Sequence, residues 1–293
     1  MHIRTHYRFS NLLLYMLAAL IASACLLPFW MVVASSLTSE DSLIRHGYTL
    51  WPRQFSATAY HYIIAAGRII RGYRISFAIT IIGTFLSLLC TTALAYAALS
   101  RKWWWTRHIS FFVLVTILFN GGMVPWYLVC TKILFLQDTL WALIIPYLVN
   151  PWFFFLARNY FKTLPEALME SARIDGATDM TIFTRIMLPM AVPMLAALGL
   201  FIALNYWNDW WLSLMLVEKD YLLPIQLLLR RMESNMTMLY QLASIPGMSN
   251  AQRPPAYGVR MATVVLTVGP IVFLYPFLQR FFITGITVGS IKG

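Results

Sequence analysis

The chain has 293 residues, of which 60% are hydrophobic and only 11% are charged, with a formal net charge of +11. Soluble domains are about half apolar and about one quarter charged, so this composition excludes a soluble globular protein and indicates an integral membrane protein. The mean hydropathy of +0.68 fits that class.

Six apolar runs are long enough, at about 1.5 Å per residue, to cross a hydrocarbon core of about 30 Å. They predict an all-α, polytopic protein with six transmembrane helices, because lipid cannot satisfy open backbone groups. The fourth run contains Pro146 and Pro151, so we expect it to be kinked. The runs cover residues 12–34, 75–99, 109–131, 139–157, 190–217 and 261–283.

The first run has a second interpretation, as a cleaved signal peptide. Arg4 and Arg8 precede it, and Ala22-Ser23-Ala24 resembles a cleavage site. Its apolar part continues to Ala34, however, whereas the apolar part of a signal peptide has about 7–15 residues. The length favours a retained helix.

Six spans place both termini on one side of the membrane, but the basic residues do not decide which side. Eleven basic residues fall on each side. The loops on the side of the termini are shorter, and because basic residues in short loops count most, this favours cytoplasmic termini. The opposite loops carry eleven basic and six acidic residues. That positive balance would attract an acidic substrate or an acidic binding protein. The alternative is that these arginines anchor the spans at lipid headgroups.

Polar residues interrupt the third and fifth runs. Asn120, Gly121 and Gly122, followed by Pro125, either open the third helix beside a cavity or allow close helix packing. In the fifth run, four-residue spacing predicts that Asn205 and Asp209 share a helical face. The neighbouring residues are Trp207, Asn208, Trp210 and Trp211. Polar groups at membrane depth indicate function, and aromatic rings with amides can hold sugars. The alternative is an aromatic belt at the membrane interface.

The segment 159–189 concentrates charge between two apolar runs. Thr163 and Glu166 have the spacing of a capping box, which predicts a helix with an apolar stripe made by Leu164, Ala167, Leu168 and Ala172. Gly176 is placed to end that helix in a left-handed turn, and Thr178 to cap a second helix. The pattern predicts a helix–turn–helix outside the membrane that docks a partner. The alternative is an ordinary polar connection.

A family resemblance supports the docking interpretation. Glu170, Ser171, Ala172, Gly176, Ile186, Leu188 and Pro189 have the spacing of the EAA loop of ABC importer permeases, with Ser171 as the only departure. The resemblance implies that the segment is the cytoplasmic coupling loop and that Leu168, Ala172, Gly176 and Ile182 lie at the ATPase interface. The residues assigned to coupling are Leu168, Glu170, Ser171, Ala172, Asp175, Gly176, Ile182, Ile186, Leu188 and Pro189.

The resemblance extends along the chain. Residues 71–284 resemble the MetI-like permease core, after an N-terminal helix and loop at 1–70 and before a tail at 285–293. "FNGGMVPWYLV", "YWNDWW" and the C-terminal "YPFLQRFFITGITVGSIKG" resemble the carbohydrate-uptake branch, and more narrowly permeases for alginate or pectin fragments. This implies a type I importer permease fold. The implied substrate path contains Asn120, Trp207, Asn208, Asp209 and Trp211. An ATPase-contacting tail is implied at Gly289, Ser290, Ile291, Lys292 and Gly293.

The resemblance also implies the assembly. It comprises a second homologous permease subunit, two ABC ATPase subunits that hold ATP and magnesium, and an extracytoplasmic binding protein that delivers an oligosaccharide. The chain would lie in the bacterial inner membrane with both termini cytoplasmic.

Several kinds of chemistry have no motif in the sequence. There is no P-loop, no HExxH and no clustered Cys and His residues, so we expect no enzymatic activity, cofactor, metal or nucleic acid on this chain. Two alternatives stay open. One is an ion-coupled secondary transporter of sugars, although only Asp209 is ionisable within a span. The other is an ABC permease for a neutral oligosaccharide.

Overall fold

A computed structural model describes residues 3–65, 67–99, 106–243 and 255–289, with side chains at 14–65, 67–99, 106, 108–239, 241 and 255–272. The described residues are predominantly helical. Their only β pairing is one isolated antiparallel bridge between Thr38 and Phe55. The chain divides into two compact units, one formed by residues 1–69 and 229–269 and the other by 70–228 and 270–293.

The first unit begins with a long apolar helix. Helix α1 (Ile3–Ser36) continues through the Ala22-Ser23-Ala24 sequence without a break. Its apolar part begins at Leu14 and is unburied within the chain until its last turn, where Ala34, Ser35 and Ser36 are buried. Such a helix is suited to contact with lipid or another apolar surface. Two short helices follow it, α2 (Glu40–His46) and α3 (Thr58–Ala65).

A carboxylate fixes the start of the last helix in this unit. Both oxygens of Glu40 accept hydrogen bonds of 3.0 Å from the backbone N–H groups of Tyr257 and Gly258. These donors belong to the first turn of an α-helix, which has no partners of its own for them. Arg260 of the same helix forms a 2.9 Å ion pair with Glu233.

The second unit is built from one straight helix and three bent pairs that could each serve as one membrane span. Two helices alone, Leu14–Ser36 and Ile69–Ala97, are straight, long and apolar enough to span, and the pairs raise that number to five among the described residues. The helices of the second unit are α4 (Ile69–Ala97), α5 (Thr106–Leu118), α6 (Met123–Leu128), α7 (Pro151–Phe161), α8 (Glu166–Ile174), α9 (Asp179–Ile182), α10 (Leu188–Met190), α11 (Val192–Asn208) and α12 (Trp211–Leu216). Two further helices, α13 (Ile225–Ala243) and α14 (Ala256–Gly289), have residues in both units.

Shorter helical turns complete the path. Wide π-helical turns cover Val129–Ile133 and Phe183–Met187, and 3₁₀ turns cover Leu140–Leu143, Ile145–Tyr147 and Asp220–Leu222. Every predicted span therefore has helical structure. The sixth predicted span corresponds to α14. The part of α14 whose side chains are described, Ala256–Val272, is apolar.

The third predicted span is not one continuous helix. Its two halves, His108–Leu118 and Met123–Ile133, meet at 120°. Gly122 has φ +83°, which favours glycine, and its N–H donates a 2.9 Å hydrogen bond to Oδ1 of Asn120. No atom lies within 4 Å of a Cβ built on Gly121. These residues therefore turn the chain and do not support close packing within this subunit.

The fourth and fifth spans are also bent. Leu140–Tyr147 and Pro151–Phe161 meet at 51°, which confirms the predicted kink. Asn150 starts α7 because its Oδ1 accepts the N–H of Trp152 at 2.9 Å. Asp179–Met190 and Val192–Asn208 meet at 82°. The predicted run 190–217 therefore does not form one helix, since it bends at Ala191 and stops at Asn208.

Candidate functional site: the charged loop and an intramembrane cavity

The charged loop turns sharply after α8, as the sequence predicted. Gly176 has φ +82°. Its N–H donates to the carbonyl of Arg173 at 3.1 Å, and the N–H of Ala177 donates to that of Ala172 at 2.9 Å. This is the Schellman pattern, which satisfies the last carbonyls of a helix and requires a left-handed residue. The direction of the chain after α8 is thus fixed by one glycine.

The beginning of α8 differs from the prediction. Pro165 occupies the N-cap position without a side-chain hydrogen bond, and Glu166 is the first helical residue. The hydroxyl of Thr163 instead donates a 2.7 Å hydrogen bond to the carbonyl of Tyr160, at the end of α7. The predicted capping box between Thr163 and Glu166 is therefore wrong, because Thr163 closes the preceding helix.

Thr178 caps the second helix, as predicted. Its Oγ1 accepts the N–H of Thr181 at 3.3 Å, and α9 follows directly. The chain is buried where this helix ends: Ile182 is 0% exposed and Phe183, the next residue, is 5% exposed. Ile182 was expected at a partner interface, but a side chain buried in its own chain cannot contact a partner. That assignment is corrected: Ile182 attaches the loop to this subunit.

The surface of the loop presents a different apolar set from the predicted stripe. Leu164 and Ala172 are half-buried, whereas Ala167 and Leu168 are exposed. The most exposed large apolar side chains are those of Leu168 (46%), Ile174 (86%) and Met180 (69%), which we call the docking face. Sequence reasoning missed Ile174 and Met180. Helical spacing from Ala167 through Glu170 and Ser171 would have placed Ile174 on the outer side.

The remaining residues assigned to coupling are divided between the exposed and the half-buried parts of the loop. Glu170, Ser171, Asp175 and Pro189 are exposed, while Ile186 and Leu188 are half-buried. Met187, between the last two, is 1% exposed. The polar half of the motif thus faces outward, and its apolar end anchors the loop to the membrane helices.

A cavity of about 410 Å³ lies beside the end of α11. It contains two amides and one carboxylate among aromatic and aliphatic side chains, a mixture that suits hydrogen bonding to sugar hydroxyls and contact with sugar rings. The lining residues are Phe153, Phe201, Leu204, Asn205, Asn208, Asp209 and Trp210.

Asp209 does not belong to the helical face that the sequence predicted. Helix α11 ends at Asn208, and Asp209 has an extended backbone with φ −71° and ψ 126°. Its Oδ1 accepts the hydroxyl of Tyr147 at 2.9 Å, and its Oδ2 accepts the N–H of Leu212 at 3.1 Å. The carboxylate thus starts α12 and ties it to the fourth span. The four-residue argument for a shared face with Asn205 was wrong, although both residues line the cavity.

The other predicted path residues are separated from this cavity. Trp207 is 5% exposed. Its ring packs against Tyr73 and Phe77, with centroids 6.3 and 5.1 Å away. Trp211 packs against Trp126 at 4.6 Å. Asn120 lies in the 120° bend. Only Asn208 and Asp209 of the five predicted path residues line the cavity. Phe153 was missed, since nothing in the sequence links it to α11.

Trp207 lines a second, apolar groove of about 760 Å³ between α4, α11 and α14. Apart from Thr80 and Thr84, its lining is apolar, and it includes Phe85, Leu204 and Ile271. This groove lacks the amides of the smaller cavity and is suited to an apolar neighbour.

A buried hydrogen-bond network supports the cavity from behind. The hydroxyl of Tyr206 donates to the carbonyl of Ile144 at 2.9 Å and lies 3.1 Å from Oγ of Ser87. Ser87 in turn reaches the carbonyl of Tyr147 at 3.2 Å. Because polar groups in an apolar interior are costly when unpaired, these bonds hold α4, the fourth span and α11 in one arrangement.

Asp138 joins the loop after the third span to the turn after α12, an arrangement that we call the Asp138 clamp. Oδ1 of Asp138 accepts the backbone N–H groups of Glu218 at 2.7 Å and Lys219 at 3.1 Å. The N–H of Asp138 donates to the carbonyl of Leu216 at 2.9 Å. The Glu218 bond, followed by that of Lys219, lowers the pKa of the Asp138 carboxyl. Its φ of +57° is one that aspartate tolerates better than most residues.

The predicted tail lies almost wholly beyond the described part of the chain. Gly289 is the last residue of α14. Ser290, Ile291, Lys292 and Gly293 fall outside the described residues.

Long apolar helices and a charged loop with exposed apolar side chains define a polytopic helical membrane protein. The chain belongs to the family of binding-protein-dependent transport system inner membrane components, whose profile matches residues 92–288. Members of this family are permease subunits of ABC transporters rather than enzymes. Membership implies an ATPase and a solute-binding protein as partners.

Three similar proteins illustrate the relationship. Protein LplC of Bacillus subtilis (strain 168) is 36% identical over 275 residues, which cover 93% of this chain and 91% of that protein. The polygalacturonan/rhamnogalacturonan transport system permease protein YtcP of the same organism is 34% identical over 286 residues, covering 98% and 99%. A bacterial ABC transporter involved in the import of the acidic polysaccharide alginate has a chain with TM-score 0.79 and 24% identity, covering 94% and 97%. That last likeness shows a shared fold.

Proposed function

We propose that this chain is the permease subunit of an ATP-driven importer that takes up acidic oligosaccharides derived from alginate or pectin. A binding protein delivers the substrate, and this chain pairs with a second, homologous permease subunit. Two ATPase subunits carry ATP and magnesium. Both termini and the loop 159–189 face the cytoplasm, where the loop meets the ATPase.

The observation that carries the proposal is the exposed docking face on a loop whose geometry is fixed by its own chain. Gly176, Thr178 and the buried Ile182 hold the two short helices in place. Leu168, Ile174 and Met180 nevertheless remain in contact with solvent. A rigid loop with exposed apolar side chains is what a transport ATPase needs in order to move the membrane helices.

The cavity beside Asp209 supports an oligosaccharide substrate. The amides of Asn205 and Asn208 are exposed and can bind sugar hydroxyls, while Phe153 and Trp210 offer ring faces. The carboxylate of Asp209 would repel a uronate if it were free. Both of its oxygens already accept hydrogen bonds, from Tyr147 and Leu212, so we infer that Asp209 shapes the cavity wall.

The acidic character of the substrate is supported by the similar proteins. YtcP is described as a permease for polygalacturonan and rhamnogalacturonan, and the structural neighbour as an importer of alginate. The outer loops of the proposed topology carry eleven basic and six acidic residues. This balance would favour the approach of polyanionic chains.

The test is ATP hydrolysis by the importer reconstituted with its ATPase, partner permease and binding protein. Alginate, pectin and neutral malto-oligosaccharides are added in turn. We expect stimulation by one of the two acidic classes and little by the neutral one. Stimulation by neutral oligosaccharides alone would reject the acidic substrate and keep the importer. Uptake that needs no ATPase would instead favour an ion-coupled transporter.

A further inference from the structure

A polar cavity lies behind the coupling loop, on the side away from the docking face. It has a volume of about 440 Å³ and is lined by the end of α4, the last turn of α7, one side of α8 from Glu166 to Arg173, and Met187. The candidate spans Ile69–Ala97 and Leu140–Tyr147 with Pro151–Phe161 both end here. The cavity therefore sits where membrane helices leave the hydrocarbon, at headgroup depth.

The charges in this cavity are unbalanced. Arg158, Lys162 and Arg173 line it, and Glu166 is the acidic residue among them. Arg173 reaches Asp179 through Nη2 at 3.5 Å. The Nε atoms of Arg158 and Arg173 are both buried and, within the described residues, have no hydrogen-bond partner.

Three basic side chains face one acidic side chain here, and partly buried charge is costly unless an opposite charge compensates it. The Nε atoms themselves are enclosed, but an anion with several oxygens could accept from the outer guanidinium N–H groups of the two arginines and from the exposed Lys162. Tyr96 lines the same cavity. The site therefore calls for a phosphate-like group and not for a neutral ligand.

We propose that this cavity binds the phosphate of an anionic phospholipid headgroup. Basic pockets at the ends of membrane helices are typical binding sites for such headgroups. An acidic side chain of the ATPase is less suited, because the cavity and the exposed Ile174 are on different sides of α8. Residues Met169 and Arg173 of α8 are turned inward, whereas Glu170 and Ile174 are exposed. The bound phosphate joins α7 to α8 and so stiffens the coupling loop.

Binding is measured on the purified full-length chain in detergent, and so does not depend on the proposed function. The probes are phosphatidylglycerol, phosphatidylcholine with the same acyl chains, and inorganic phosphate added with phosphatidylcholine. We expect preferential binding of phosphatidylglycerol. Loss of a charge-assisted hydrogen bond in Arg158→Gln should weaken it by about tenfold or more. Lys162→Gln removes an exposed charge, leaves the fold intact and should also weaken it.

Lys219→Gln is the matched control, because this lysine lies in the turn after α12 and away from the cavity. It should bind phosphatidylglycerol as the wild type does. Equal binding of both lipids by the wild type would overturn the proposal. Saturation of the cavity by inorganic phosphate alone would show that free phosphate, and not a phospholipid headgroup, is the ligand. If the two variants kept phosphatidylglycerol but lost the ATPase in a pull-down, an acidic group of that partner would be the occupant.

Discussion

The hydroxyl of Tyr147 donates a 2.9 Å hydrogen bond to Oδ1 of Asp209, which joins the fourth span to the break between α11 and α12. We expect Tyr147→Phe to leave this carboxylate oxygen short of a donor and to cost about 1–3 kcal/mol. The variant should insert but unfold at a lower temperature and transport more slowly. Thermal unfolding and uptake check this, with Tyr221→Phe, an exposed tyrosine of the turn after α12, as the control. Unchanged stability in Tyr147→Phe would mean that the bond is dispensable.

The turn at Gly176 gives a prediction for coupling. No atom lies within 4 Å of a Cβ built there, so a larger side chain meets no steric clash, and the cost of a substitution comes from backbone strain at φ +82°. A non-glycine residue in this region costs about 1–2 kcal/mol, and a β-branched one more. We expect Gly176→Val to insert normally and to lose substrate-stimulated ATP hydrolysis.

Gly176→Asn is the control for that experiment, because asparagine enters the left-handed region most readily. It should retain much of the stimulated hydrolysis. Equal hydrolysis by the valine variant and the wild type would remove the turn from the coupling mechanism.

The packing of α4 against α11 depends on Gly83. A Cβ built there would lie 2.7 Å from the ring of Tyr206, closer than real contacts allow. We expect Gly83→Ala to displace Tyr206, break its bonds to Ser87 and Ile144, and cost about 1–3 kcal/mol. Gly121→Ala is the matched control, since no atom lies within 4 Å of its Cβ. Similar thermal stability of the two alanine variants would contradict this close approach.

The Asp138 clamp predicts a dependence on pH. The backbone N–H of Glu218, and then that of Lys219, lowers the pKa of this carboxyl. Its stabilisation is therefore fully present above the ordinary aspartate pKa of about 3.9 and is lost as the pH falls through the lower folded value. We expect Asp138→Asn to be less stable at neutral pH and to lose less than the wild type on acidification.

Thermal unfolding in a series of buffers from neutral to strongly acidic pH measures this difference. Glu218→Gln is the control, because it changes a side chain and retains the backbone donor. Parallel acid profiles for the wild type and Asp138→Asn would show that the clamp carries no acid-dependent stability.

Sequence patterns predicted the helical membrane fold because apolar run length is a direct consequence of bilayer thickness. They also predicted the turn at Gly176 and the cap at Thr178, since both depend on residues next to each other in the chain. The capping box failed because two helix ends compete for Thr163, and the nearer carbonyl of Tyr160 takes its hydroxyl.

The cavity was less predictable, because its walls come from distant segments. Asn208 and Asp209 were found by their polarity within an apolar run, but Phe153 resembles its aromatic neighbours. The break after Asn208 has no proline or glycine to announce it. It depends on the Asp209 carboxylate bonding Tyr147 and Leu212, and the Tyr147 contact crosses to another span.

The central claim is that the docking face meets the ATPase, and the most direct test is retention of that subunit by the purified permease. Leu168 stays unchanged, and Ile174 and Met180 are both replaced by aspartate. Burying one large apolar side chain stabilises an interface by about 1.5–3 kcal/mol, so the double variant should bind the ATPase at least about tenfold more weakly. Ile44→Asp alters an apolar residue of α2 that is 39% exposed and should have no effect. Undiminished retention of the ATPase by the double variant would contradict the account.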